Sequence, residues 1–116
     1  MKSIYSENRP WGKFYVIHDE SNYKLKRIEV KPGHRLSYQY HRKRSETWIC
    51  VYGLGKITLD GETKDFSKGD SIVIPLGAKH RIENIGNVNL VFIEVQTGEY
   101  FGEDDIIRVE DDYKRK

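Results

Sequence analysis

The chain has 116 residues, of which 37% are hydrophobic and 33% charged, and its formal net charge is +2. This length suits one domain with its own core and excludes a second catalytic domain beside it. The composition fits a soluble globular protein, and no apolar run approaches the roughly 20 residues of a membrane span. Basic and acidic residues are interleaved, which argues against a nucleic-acid partner, and no membrane partner is expected.

The two ends and the cysteine content predict where the protein resides. Residues 1–10 lack the apolar region of a secretory signal peptide, and the single cysteine, Cys50, cannot form an internal disulfide. We therefore expect a reducing, cytoplasmic setting.

Short runs rich in Val, Ile, Tyr and Phe, separated by turn residues, predict an all-β domain over residues 1–116. The predicted strands span residues 13–18, 23–30, 36–41, 46–52, 56–59, 71–74, 80–83 and 90–96. Asp60-Gly61 indicates a tight hairpin turn, because both residues accept a positive φ. Many short strands at regular spacing predict a sandwich, jelly roll or barrel. Residues 1–12 form a lead-in segment, and the charged tail 111–116 is expected to fray.

Two spaced patterns carry the candidate chemistry. The first, G-x5-Q-x-H-x4-E-x6-G, runs from Gly33 to Gly53, and the second, G-x5-P-x-G-x2-H-x3-N, runs from Gly69 to Asn84. Residues two apart on a strand share a face, and a short turn brings the next strand back beside them. The polar residues of both patterns can therefore converge: Gln39, His41, Glu46 and His80.

This pair of patterns resembles the two motifs of the cupin superfamily, whose first motif normally reads G-x5-H-x-H-x3,4-E-x6-G. The resemblance implies a cupin-type double-stranded β-helix, a jelly-roll β-barrel, that binds one divalent metal ion per chain. Gln39 stands in place of the first histidine, so the implied ligand set is Gln39, His41, Glu46 and His80. A mixed oxygen and nitrogen shell suits zinc, which we favour, as well as manganese, iron, cobalt or nickel.

Nearly the whole chain is similar to the C-terminal cupin domain of the bifunctional mannose-1-phosphate guanylyltransferase/mannose-6-phosphate isomerases, the type II phosphomannose isomerases. The matching stretches are Arg9-Pro10-Trp11-Gly12, Tyr23-Lys24-Leu25-Lys26-Arg27-Ile28, Lys31-Pro32-Gly33, Arg44-Ser45-Glu46, His80-Arg81-Ile82-Glu83-Asn84, Ile93-Glu94-Val95-Gln96 and Gly102-Glu103-Asp104-Asp105-Ile106. The family's first motif usually reads Q-M-H-H-H-R-[AS]-E-H-W, against which this chain has Tyr40, Arg42, Lys43 and Thr47. The Gly-rich nucleotide loop of the guanylyltransferase half is absent from the sequence, so nucleotidyl transfer is not expected.

The resemblance implies interconversion of mannose 6-phosphate and fructose 6-phosphate through an enediolate, with this sugar phosphate as the partner molecule. A divalent metal would stabilise the negative oxygens, and a base would move the carbon-bound proton. Lys26 and Arg27 lie on opposite faces of one predicted strand, so one of them should point inward; Lys26 is favoured because its face is more apolar. Glu94 is a further candidate base. The candidate phosphate-binding residues are Arg81, Arg35, Lys79 and Arg9, and the alternative interpretation of each is a solvated surface charge.

Two other functions fit the same residues. Two histidines and a carboxylate can form the iron site of a non-haem oxygenase, with Gln39 as a spectator. A metal-binding domain can also bind a sugar phosphate without turnover. A homodimer is expected, because open jelly-roll sheets leave edges and an apolar face to cover. The predicted contact residues are Trp11, Phe14, Tyr100 and Phe101.

Overall fold

The computed structural model describes residues 3–115, which form an all-β double-stranded β-helix. The strands are β1 (Tyr5–Arg9), β2 (Gly12–Asp19), β3 (Tyr23–Val30), β4 (Tyr38–Tyr40), β5 (Arg44–Tyr52), β6 (Leu54–Leu59), β7 (Glu62–Ser67), β8 (Ser71–Ile74), β9 (His80–Asn84), β10 (Leu90–Gly98) and β11 (Ile107–Glu110). Among these residues, no helix is long and apolar enough to cross a membrane.

Two antiparallel sheets pack against each other. The six-stranded sheet has the order β1-β2-β3-β10-β5-β8, and the five-stranded sheet has the order β11-β4-β9-β6-β7. Their inner faces meet in an aromatic cluster, where Trp48 of β5 lies 4.7 Å from Phe92 of β10 and 6.4 Å from Phe66 of β7, measured between ring centroids. This cluster closes one half of the interior with apolar side chains.

The inner face of the six-stranded sheet changes from apolar to charged along the strands. On β10 the inward residues run Leu90, Phe92, Glu94, Gln96, and all four are buried. The register places Glu94 beside Lys26 of β3 and Trp48 of β5. Because cross-strand partners share a face, the polar ends of three neighbouring strands meet in the other half of the interior.

The predicted Asp60-Gly61 turn is confirmed, with φ values of 46° and 85°, and it joins β6 to β7. Strands β1, β7 and β11 are not among the predicted strands. Four of the six residues of β7 are exposed, and Phe66 is the buried one. A strand at the edge of a sheet with so many polar side chains shows no alternation of apolar and polar residues, so its sequence resembles a loop.

Within the tail expected to fray, residues 111–116, the structure gives residues 111–115 defined contacts. The Asp111 carboxylate accepts hydrogen bonds from the Arg115 backbone and guanidinium, with an Nε to Oδ2 distance of 2.8 Å. Tyr113 packs against the hydrophobic core and stacks on the His34 ring. Met1, Lys2 and Lys116 lie outside the described residues.

Three of the four aromatic residues predicted as dimer contacts lie inside the protomer instead. Trp11, Phe14 and Phe101 are buried, whereas Tyr100 is exposed. Trp11 and Phe14 belong to the core cluster, because alternation along β2 turns Phe14 inward and Trp11 precedes that strand. The dimer itself stays a prediction.

Replacing Phe92 with Ala should reduce the free energy of unfolding by about 3–5 kcal/mol, because its ring is fully buried between two other aromatic rings. Urea denaturation measures this loss. Val73→Ala is the matched control on the outer surface, where the side chain is 60% exposed, and it should change stability by less than about 0.5 kcal/mol. Equal losses for the two variants would contradict this assignment of the core.

Candidate metal centre

Three buried side chains from separate parts of the chain converge in the polar half of the interior. His41 directly follows β4, Glu46 lies on β5, and His80 begins β9. Each offers one ligand atom, and the three atoms lie within 4.8 Å of one another. His41 Nε2 and Glu46 Oε2 are 3.1 Å apart. The structure thus brings together three of the four predicted ligands.

Hydrogen bonds orient both imidazoles toward this centre. His41 Nδ1 donates to the Asp105 carbonyl at 2.8 Å, and His80 Nδ1 donates to the Ala78 carbonyl at 3.0 Å. A carbonyl only accepts, so these bonds assign a proton to Nδ1 of each ring and leave Nε2 as the atom that faces the centre. His80 Nε2 is buried, and no hydrogen-bond partner lies within reach of it among residues 3–115. Burial lowers the pKa of His80, which favours the neutral ring that metals bind.

The Glu46 carboxylate is held at both oxygens. The Trp48 indole donates to Oε1 at 2.8 Å, and Arg44 Nε donates to Oε2 at 2.8 Å. Burial by itself would raise the pKa of Glu46, but the hydrogen bond with His41 and the charge of Arg44 hold that pKa well below its usual value. Once a metal ion displaces the proton that His41 Nε2 donates to Glu46, two imidazoles and an ionised carboxylate fit a divalent ion such as zinc, manganese, iron, cobalt or nickel.

Gln39 lies beside this centre. It pairs with His80 in the register of β4 and β9, so the two side chains share the inner face. Its amide oxygen accepts a hydrogen bond from Ser37 Oγ at 2.6 Å, and the side chain lines the same cavity as Glu46.

A narrow cavity of about 40 Å³, room for a few water molecules, adjoins the centre. Its lining is rich in charge, with the basic residues outnumbering the acidic ones. The charged residues that line it are Arg9, Lys26, Arg44, Arg108, Arg115, Glu46, Glu94 and Glu103.

Of the two cations predicted to lie on opposite faces of β3, Lys26 faces the cavity. Its side chain is buried, its Nζ lies 2.7 Å from Glu103 Oε2, and it sits 4.4 Å from the centre of the Phe14 ring. Arg27 lies on the opposite face, where it pairs with Glu29 at 2.9 Å. Arg27 is therefore not placed to act at the cavity.

Glu94 is buried at the boundary between the aromatic cluster and the charged cavity. Its Oε2 accepts a hydrogen bond from Gln96 Nε2 at 2.6 Å. Burial, together with the negative charge of Glu46, raises the pKa of Glu94 to about 7, and the charges of Lys26 and Arg44 oppose that rise. A carboxyl group with such a pKa can both take and give a proton near neutral pH.

Three of the four predicted phosphate-binding residues lie away from the cavity. Arg81 follows the inward His80 and so faces outward, where its guanidinium binds the Leu36 carbonyl at 2.9 Å. Arg35 pairs with Asp112 at 2.8 Å, and Lys79 is exposed. Of the four, Arg9 lines the cavity. Arg81, Arg35 and Lys79 do not line it.

Sequence reasoning missed Arg44, Arg108, Arg115 and Glu103 as residues of the cavity. Arg44 had a usable signal, because it precedes Glu46 by two residues on the same strand and must share its inner face. Glu103 had none of this kind, since it lies in the loop between β10 and β11, where no strand period applies.

A double-stranded β-helix with a buried His, Glu, His group in its interior defines the protein as a cupin. Its fold matches the cupin domain of Cnp3 from Schizosaccharomyces pombe with a TM-score of 0.72 at 17% identity, over 74% of this chain and 64% of that one. It also matches the capsular polysaccharide assembling protein CapF of Staphylococcus aureus with a TM-score of 0.79 at 25% identity, over 95% of this chain and 32% of that one.

The chain belongs to the "Mannose-6-phosphate isomerase C-terminal" family, whose model matches residues 2–111. A similar curated relative is a mannose-1-phosphate guanylyltransferase of Salmonella montevideo, 50% identical over 107 residues. That match covers 92% of this chain and 23% of the relative, so the chain spans less than a quarter of the length of that relative.

Replacing His80 with Ala should abolish tight metal binding, because it removes one of two imidazoles at the centre. Metal analysis after dialysis of the zinc-loaded protein measures the effect. His18→Ala is the matched control, since His18 is exposed on β2, and it should keep wild-type metal content. Full occupancy in His80→Ala would show that the ligands are misplaced.

Glu94 should make the stability of the chelator-treated protein depend on pH. Its pKa of about 7 in the folded state lies above the ordinary value of 4.5, so its contribution is fully present below pH 4.5 and lost as pH rises through 7. Between pH 5 and 8, wild type should lose about 2 to 3 kcal/mol more unfolding free energy than Glu94→Gln. Urea denaturation at both pH values measures the difference, and identical pH profiles would contradict it.

Proposed function

We propose that the metal-loaded protein is an aldose-ketose isomerase that interconverts mannose 6-phosphate and fructose 6-phosphate through an enediolate. The observation that carries the proposal is Glu94, a buried carboxyl group with a pKa of about 7 that lines the same cavity as the metal ligand Glu46. Membership of the mannose-6-phosphate isomerase C-terminal family supports the choice of reaction.

His41, Glu46 and His80 would hold the metal ion, and Gln39 is the proposed fourth ligand, with zinc favoured. Bound there, the ion would supply Lewis-acid stabilisation of negative charge on the substrate oxygens. Gln39 shares the inner face with His80, and a rotation of its amide away from Ser37 would turn the oxygen to the centre.

Glu94 is the proposed proton carrier. Its carboxylate takes the proton from C2 of the aldose and returns it to C1, while a proton passes from the C2 hydroxyl to the C1 oxygen. Lys26, the other candidate base on this face, binds the Glu103 carboxylate through its ammonium group, which donates hydrogen bonds and accepts none. The proton-accepting role is therefore assigned to Glu94.

The charge of the cavity favours an anionic substrate. Five basic side chains and three carboxylates line it among the described residues. The cavity wall formed by Trp11, Phe14 and Ile28 is apolar, and it would keep water from the reacting carbons.

Glu94→Gln should lower turnover at least about 100-fold and keep the wild-type metal content, because it removes the proton carrier and leaves the ligands in place. A coupled assay for fructose 6-phosphate from mannose 6-phosphate, with and without chelator, measures the rate. Glu83→Gln is the matched control, because Glu83 lies on the outward face of β9, and it should keep wild-type turnover.

Two further measurements, ligand binding and oxygen consumption, separate the alternatives. Saturable binding of mannose 6-phosphate without turnover in the fully metallated protein would indicate a binding module and refute the isomerase proposal. Oxygen consumption by the iron-loaded protein would indicate an oxygenase. The homodimer and the cytoplasmic location stay predictions.

A further inference from the structure

Glu103 occupies a position where three basic side chains of the cavity meet. We infer that Arg9, Lys26 and Arg44 form an anion-binding subsite that Glu103 fills in the substrate-free protein and that takes the phosphate group of a sugar phosphate. This inference rests on the proposed function for the identity of the sugar; the phosphate subsite itself can be tested without turnover.

The three cations share Glu103 as a counter-ion, while Arg9 also pairs with Glu7 and Arg44 also pairs with Glu46. Glu103 Oε2 lies 2.7 Å from Lys26 Nζ and 3.9 Å from Arg44 Nη1, and Glu103 Oε1 lies 3.6 Å from Arg9 Nη2. The side chains of Lys26 and Arg44 are 4% and 3% exposed. A buried cation such as Lys26 requires a nearby negative charge, so the departure of Glu103 would favour the entry of another anion at this position.

Glu103 is able to leave, whereas the loop that carries it is tied down. Its own side chain is 32% exposed and so has a path to solvent. The neighbouring Asp105 carboxylate accepts hydrogen bonds from the backbone N–H groups of Arg42 and Lys43, at 3.1 and 2.9 Å. The Asp105 carbonyl also binds His41. Rotation of the Glu103 side chain therefore opens the subsite without disturbing the metal centre.

The size of the cavity requires such an exchange. With Glu103 in place it has room for a few water molecules, far less than the roughly 300–1,000 Å³ of typical ligand sites. Withdrawing the carboxylate removes atoms from the cavity and exposes the three cations to it. The same movement therefore enlarges the cavity and frees positive charge to bind an anion.

Arg44 connects the subsite to the metal centre. Its Nε and Nη2 face Glu46 and His41, at 2.8 and 3.5 Å, whereas Nη1 faces Glu103 and the Gly102 carbonyl. A phosphate bound at Nη1 is thus separated from the metal ligands by the width of one guanidinium group. The remainder of a sugar phosphate held there extends toward the centre and Glu94.

A phosphate monoester is the anion best suited to displace Glu103. It carries about 1.5 to 2 negative charges at neutral pH and three acceptor oxygens, against one charge and two oxygens for the carboxylate. Guanidinium groups bind phosphate through paired hydrogen bonds. The tethered carboxylate competes with an effective concentration of the order of millimolar, so its removal should strengthen anion binding.

Calorimetric titration of the metal-loaded protein with inorganic phosphate and with mannose 6-phosphate tests the inference. Glu103→Gln should bind both at least about tenfold more tightly than wild type, because the internal competitor is gone. Glu99→Gln is the matched control: Glu99 lies at the start of the same loop, is exposed and does not line the cavity, so the affinities of this variant should match those of wild type. Mannose without phosphate should bind Glu103→Gln and wild type equally.

Equal or weaker phosphate binding by folded Glu103→Gln would overturn the inference. Should that variant fail to fold, Arg9→Gln decides, since Arg9 has the most exposed side chain of the three. It should weaken phosphate binding about tenfold, and an unchanged affinity would overturn the inference, because phosphate held through a metal ion alone would not respond to Arg9.

The outcomes separate this inference from the proposed function. Phosphate binding that responds to Glu103 and Arg9, without turnover, supports the subsite and refutes the isomerase. Turnover without any response of phosphate affinity to either residue supports the isomerase and refutes the subsite.

Discussion

The site depends on keeping one carboxylate, that of Glu46, ionised inside the protein. A buried charge is unfavourable unless it is paired and hydrogen-bonded. Glu46 meets both conditions through the Trp48 indole, the Arg44 guanidinium and the imidazole of His41. A divalent ion would add the largest positive charge of the site beside the same carboxylate. The arrangement is therefore suited to both the metal-free and the metal-bound protein.

The same residues divide the interior into two halves. Trp48 has a ring that packs on Phe92 and an indole N–H that binds Glu46, so one side chain ends the aromatic cluster and begins the polar site. An aromatic side chain with a polar edge is suited to such a boundary. Because packed apolar side chains resist displacement, they give the candidate metal ligands a rigid support on one side. The adaptable part of the site lies on the other side, at the loop that carries Glu103.

Strand alternation explains how much of the fold and the site the sequence predicts. The fold class, eight of the strands and the convergence of His41, Glu46 and His80 follow from a period of two and from turn residues. The same rule excludes Arg81, since it follows the inward His80, and it points to Arg44, two residues before Glu46. Applied to every charged residue, alternation would have placed Arg81 outside the cavity and Arg44 inside it.

Other parts of the site have no local signal in the sequence. Glu103 contacts Lys26 although the two residues are 77 positions apart in the chain. The loop that carries Glu103, including its anchor Asp105, follows no strand period. The edge strand β7 pairs with β6 through its backbone, while its side chains remain mostly polar and exposed. Long-range packing decides each of these cases.

The proposed exchange of Glu103 for phosphate also bears on the proton carrier. Lys26 is the ion-pair partner of Glu103 and the cross-strand neighbour of Glu94. Its positive charge lowers the pKa of Glu94. Replacing a single negative charge at Glu103 with nearly two on a phosphate offsets more of the Lys26 charge, so the affinity of Glu94 for a proton increases. On this view, binding the phosphate end of the substrate makes Glu94 a stronger base when a carbon-bound proton is within its reach. The nonreacting end of the substrate would then contribute to the chemistry as well as to binding.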